Sequence, residues 1–112
     1  MADFYENKQV TEEIILVGVA LGETSVTDES LDELEELAKT AGAVTVGRLI
    51  QNREMIHPGT YLGKGKLEEL AFLISETHAT GIICDDELSP AQMANMEDVL
   101  DMSAEHLAAL KE

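Results

Sequence analysis

Apolar residues along this chain fall into two alternating rhythms. Ile14-Ile15-Leu16-Val17-Gly18-Val19-Ala20 is an unbroken, largely β-branched run, the pattern of a strand covered on both faces. Leu31, Leu34, Leu37, Ala38 and Ala41 then recur at helical spacing, with Asp32, Glu33, Glu35 and Glu36 turned away from them. Ser30 with Glu33 reads as a capping box at the start of that helix, and Gly42 stands where a glycine closes one. Ala43 to Ile50 predicts a second strand, and residues 51–62, with Pro58 and Gly59, a long connection. Leu67, Leu70, Ala71 and Ile74 mark a second helix, and Gly81-Ile82-Ile83-Cys84 a short third strand closed by Asp85-Asp86-Glu87. Ser89-Pro90-Ala91-Gln92 supplies an N-cap, a proline at the first helical position and a Gln two residues further on. Met93, Met96, Val99 and Leu100 carry the stripe of this third helix, and the Ala/Leu-rich tail from Ser103 to Glu112 favours helix.

The order β-α-β-α-β-α predicts an α/β fold: a small parallel sheet of three to four strands, in the order 2-1-3, with helices on both faces. The first strand is the longest and most uniformly apolar, so it belongs at the centre. Residues 1–12 read as a loose N-terminal segment, 13–101 as the α/β domain and 102–112 as a helical tail. Three strands leave open edges, which favours a covering segment or a homodimer through one edge.

Composition narrows the function. Among 112 residues, 7 Lys and Arg stand against 23 Asp and Glu, a formal charge of −16. Generic nucleic-acid binding is disfavoured, because phosphates would be repelled by most of this surface. The 45% apolar content is that of a globular protein. The longest apolar run is far short of the ~20 residues a membrane span needs, so no membrane role is expected. One cysteine, Cys84, allows no internal disulfide and suits a reducing cytosol. The average conceals one exception: Arg48, Arg53, Lys64 and Lys66 lie together in sequence with Glu54 as their only acid. That stretch sums to +3 against −19 for the rest.

Its last part, Gly59-Thr60-Tyr61-Leu62-Gly63-Lys64-Gly65-Lys66, leads straight into a helix. Glycine-rich backbone at a helix start can cradle an anion, which makes Gly63, Lys64, Gly65, Lys66, Arg48 and Arg53 candidates for phosphate contact, from a nucleotide or from RNA. The spacing is not that of a P-loop: Pro58 and Gly65 stand where Gly and Ser or Thr are required. A tight turn with solvated lysines is the plainer alternative. Asp85 and Asp86, at the ligand-binding edge of an open α/β sheet, could hold magnesium, but Asp at such a position more often orders a turn. His57, in the basic stretch, could touch a phosphate. His78 closes a helix, where a cation suits the dipole. The histidines show no metal-ligand spacing with Cys84, which reads as a core residue, and no catalytic constellation can be assembled.

Five segments have a familiar look: Ile15-Leu16-Val17-Gly18-Val19, Leu31 to Ala38, Thr40-Ala41-Gly42-Ala43, Tyr61 to Leu70, and Asp85 to Gln92. Together they resemble the N-terminal domain of the HflX family of translational GTPases, from about Glu13 to Leu100. The resemblance implies a cytoplasmic protein that engages the large ribosomal subunit and its rRNA and, as a whole, splits or rescues ribosomes under stress. It implies a helical hairpin and a GTP-hydrolysing G domain beyond the α/β part. GTP and magnesium would come with that G domain, and the α/β part would act as a binding module beside it. Adenine-nucleotide binding has been linked with the family's N-terminal part, so ATP is a further candidate ligand. Gly63 to Lys66 would belong to the family's Gly/Lys loop, and Asp86 to Ser89 to its turn before the third helix. The segment Asp101 to Leu107 departs from the family pattern, and no P-loop, Asp-x-x-Gly or Asn-Lys-x-Asp motif occurs. No enzymatic activity is therefore expected of these residues, which leaves three readings: an rRNA-contacting module, an adenine-nucleotide-binding domain, or a regulatory protein-interaction domain.

Overall fold

The computed structural model of the protein describes residues 11–21, 26–53, 55–100 and 107–109. Its elements are β1 (Glu13–Leu21), α1 (Val26–Thr40), β2 (Val44–Arg53), α2 (Lys64–Thr77), β3 (Gly81–Cys84), α3 (Pro90–Leu100) and β4 (Leu107–Ala109). They build a parallel sheet in the order β2-β1-β3-β4. The expected 2-1-3 order is present, with β1 paired on both sides.

Period-2 alternation along β1 divides the interior in two. Ile15, Val17 and Val19 point to one face, into a core shared with Leu49, Leu62, Leu67, Leu70, Ile82 and Met96 beneath α2 and α3. Ile14 and Leu16 point to the other, where Leu31, Leu34 and Ala38 of α1 cover them. Leu16 and Ile15 are fully buried. The helices thus lie on both faces, two against one.

The tail is corrected. Leu107–Ala109 is not helical but pairs in parallel with β3, from Ile82↔Leu107 to Cys84↔Ala109. Helix propensity in this stretch yields to the backbone hydrogen bonds that β3 offers on its open side. Residues 1–10, expected to be loose, and the remainder of the tail lie outside the described residues.

α1 begins at Val26, earlier than the Ser30–Glu33 pair suggested, so Ser30 lies inside the helix. Asp28 and Glu29 then occupy its first turn, where negative charge complements the helix dipole. Its end is as expected. Gly42 takes φ +94°, its N–H donates to Lys39 O at 3.0 Å, and Ala43 N–H donates to Ala38 O at 2.9 Å. That is a Schellman closure, and it requires the left-handed backbone that glycine adopts without cost. Leu37, counted on the apolar stripe, is 62% exposed, because it lies beyond the narrower strip that meets the sheet.

β2 runs to Arg53, three residues past the expected Ile50. That extension carries Gln51 and Arg53 to the C-terminal edge of the sheet, where the candidate residues gather. In a parallel sheet this edge also receives the N-termini of α2 and α3.

Candidate functional site

The connection from β2 to α2 is a closed loop. His57 and Tyr61 pair as an antiparallel bridge, with Tyr61 N–H donating to His57 O at 2.9 Å and His57 N–H to Tyr61 O at 3.3 Å. Inside the bridge, His57 Nδ1 accepts from the N–H of Gly59 at 3.0 Å and of Thr60 at 3.2 Å. Tyr61 turns the chain at φ +70° and is buried. A non-glycine residue held there carries backbone strain, which packing of the ring and a 2.7 Å bond from its hydroxyl to Asp86 Oδ2 offset. Burial, and then the bond to Asp86, push the Tyr61 hydroxyl well above its ordinary titration range.

α3 grips this loop from the other side. Gln92 Oε1 accepts Ser89 N–H at 2.8 Å while Ser89 Oγ accepts Gln92 N–H at 3.1 Å, the reciprocal cap expected from the sequence. The same carboxamide also reaches the loop, where Gln92 Nε2 donates to His57 O at 2.8 Å. One turn further, Asn95 Nδ2 donates to Gly59 O at 2.8 Å. Neither of these two bonds was visible in the sequence.

The loop delivers the chain to Gly63, the N-cap of α2, which contributes no side-chain cap. Gln51 of β2 accepts Gly63 N–H through Oε1 at 2.8 Å. Arg53 lies alongside, its Nε donating to Met55 O at 3.0 Å. A Cβ on residue 63 would meet Arg53 Nη1 at 2.5 Å, so glycine lets the guanidinium approach the start of the helix. Lys64 and Lys66 follow in the first turn, and no acid stands there. Lys64 is exposed, and Lys66 Nζ reaches Glu69 at 3.0 Å.

The six candidate residues therefore divide. Arg53, Gly63, Lys64, Gly65 and Lys66 converge on the N-terminus of α2. Arg48 does not. Its position on β2 turns it to the opposite face of the sheet, where its guanidinium lies 2.7 Å from both Asp32 and Glu35 of α1. Hydrogen bonds to Glu35 and Asp32 raise its pKa further. Nearness in sequence put Arg48 in the cluster, and strand alternation takes it out.

At the adjoining strand end, Asp86 is engaged by Tyr61, consistent with an ordering role for this turn. Cys84 is buried in the core, and that burial, with Asp86 and Asp85 nearby, pushes its thiol up to about 12. It is inert packing at neutral pH. His78 caps α2 in the left-handed region at φ 59°, its N–H donating to Ile74 O. Its closing role is conformational, and the carbonyl of Ile74 is satisfied by backbone rather than by an imidazolium. Beside the loop, His57, Thr60, Lys64, Leu67, Glu68 and Val99 line a groove of about 400 Å³ between α2 and α3. Val99, read from the sequence as core, is half exposed on its wall.

A two-sided parallel sheet with its loops, strand ends and helix starts gathered at one edge defines an α/β module. Comparison with known proteins gives its lineage. Residues 28–104 match the family described as GTP-binding GTPase N-terminal. The GTPase HflX of Lacrimispora saccharolytica is 60% identical over 101 residues, covering 90% of this chain and 24% of that protein. Those of Alkalihalophilus pseudofirmus and Escherichia coli are 46% and 36% identical, over 76% and 62% of this chain. The chain belongs to the HflX GTPase family, as its N-terminal domain. It spans no more than a quarter of the length of these relatives. Among the described residues, no helix is long and apolar enough to cross a membrane.

Proposed function

We propose that this chain is the non-catalytic N-terminal module of an HflX-type GTPase and that it contacts rRNA of the large ribosomal subunit in the cytoplasm. The contact is made by Arg53, Lys64 and Lys66 around the amides that open α2. GTP hydrolysis, and with it the splitting or rescue of ribosomes under stress, belongs to the remainder of the family's polypeptide.

One observation carries this reading. α2 begins with two lysines and no acid, and Arg53 is laid against its N-cap. Cations at a helix N-terminus oppose the dipole by about 0.3–1 kcal/mol each, and α1 shows the ordinary arrangement with Asp28 and Glu29. A phosphate seated between the lysines and the amides of that first turn converts the repulsion into attraction. The surrounding acidity then repels nucleic acid elsewhere and favours one orientation.

The test is co-sedimentation with large ribosomal subunits at low salt, for the wild type and for Lys64→Ala/Lys66→Ala. The variant should bind more weakly, and its plot of log affinity against log salt should flatten by roughly 0.7–0.9 for each phosphate that is no longer neutralised. Equal binding and slope in the two proteins refute the assignment. Saturable, magnesium-dependent ATP binding that disappears in the same variant would reassign the site to a nucleotide.

A further inference from the structure

We propose that His57 is a protonation switch for the loop that leads into α2. Backbone N–H groups only donate, so the two that point at His57 Nδ1, from Gly59 at 3.0 Å and Thr60 at 3.2 Å, require that nitrogen to be an unprotonated acceptor. The closed loop therefore selects the neutral ring with its proton on Nε2. Thr60 Oγ1, 3.3 Å from Nδ1, donates its own hydrogen to Leu62 O at 2.8 Å. Uptake of a second proton converts the acceptor into a donor and sets it against two N–H groups. Among the described residues the Thr60 hydroxyl is the acceptor beside it, and the turn at Pro58–Thr60 loses the two bonds that the ring supplies.

Among the described residues, the groove that His57 lines holds charges of both signs. α2 presents Lys64 and Glu68 to the groove that His57 lines, one of each sign. α3 presents Gln92 and Asn95 to the loop, both neutral. The two backbone bonds are the contacts that protonation breaks. Acidification opens the loop, and the N-cap of α2 loses the ordered segment before it. The opening stands on the loop geometry alone, and any resulting loss of phosphate binding rests on the rRNA reading above.

Amide spectra of the 112-residue chain test this from neutral pH downwards until the His57 ring signals have moved to their protonated positions. Wild type, His57→Asn and His57→Phe are compared. Asparagine keeps an acceptor that closes the same kind of turn and does not titrate. In the wild type, the Gly59 and Thr60 amide signals should move to open-loop positions in step with the His57 ring signals. In His57→Asn they should stay in place, and in His57→Phe they should sit at the open position at every pH. If the Phe variant does not fold, the first two proteins suffice. Flat Gly59 and Thr60 signals while the wild-type His57 ring titrates, or equal movement in His57→Asn, overturn the proposal.

Discussion

Gln92→Glu separates the two roles of one side chain. Glutamate keeps an oxygen for Ser89 N–H and is itself favoured at this capping position, so the start of α3 is preserved. The donor to His57 O is removed, and a carboxylate oxygen faces a carbonyl oxygen across the former 2.8 Å bond. Leaving a buried partner without its hydrogen bond costs about 1–3 kcal/mol. His57 O retains Tyr61 N–H at 2.9 Å, which places the cost in the lower part of that range. Residue 92 is 8% exposed, so the new charge also loses solvent, while the α3 dipole returns about 0.3–1 kcal/mol. The net expectation is a loss of about 1–2 kcal/mol, and each kcal/mol lowers the melting temperature by about 4–8 °C in a domain of this size. Thermal melts give the magnitude, and amide spectra give the location, with changes confined to the 57–61 loop and the start of α2. Gln92→Ala, which removes cap and clamp together, should be worse. A Gln92→Glu protein as stable as wild type, or one whose changes centre on α3, would refute the division of labour.

Two further outcomes follow from backbone and burial. His78→Gly should stabilise the protein by up to about 1 kcal/mol, because His78 holds an exposed left-handed C-cap that glycine adopts freely; a lower melting temperature would show that the imidazole makes a contribution of its own. Cys84 should resist thiol reagents in the native state at neutral pH. Its folded-state pKa is raised to about 12, so above the ordinary thiol range the unfolded chain loses a proton that the native chain keeps. Stability therefore falls as pH rises from about 8.5 towards 12, and Cys84→Ala should show a shallower fall in denaturant midpoint.

Where backbone pattern decides structure, the sequence was readable. The β1 run, the Gly42 closure and the Ser89–Gln92 cap each follow from local chemistry, and each stands where that chemistry places it. The site was readable only in part. Lys64 and Lys66 follow from a glycine-rich segment entering a helix, but strand alternation separates Arg48 from them. Gln92 and Asn95 carried no signal for their bonds to the loop, because those depend on α3 lying across a segment 35 or so residues earlier in the chain. Tyr61 in a left-handed turn runs against every local preference and is held by Asp86, which no neighbour in sequence announces. Leu107–Ala109 shows the opposite imbalance: strong helical propensity overruled by a waiting strand edge.

The central position of β1 has a consequence for how the molecule comes into being. β1, α1 and β2 are contiguous, and β1 and α1 supply every buried residue of the smaller core, with Ile83 of β3 packing against it later. The other face of the same strand waits for partners from far along the chain: Leu67, Leu70 and Ile82 first, with Met96 and Leu100 later still. Closing such distances costs loop entropy before any contact repays it, so the rate of folding is set by this second face. During synthesis, Ile15, Val17 and Val19 emerge long before α3 does. For that interval the nascent chain carries one side largely covered by α1 and one bare one, and the bare side is the one that will support the 57–66 loop.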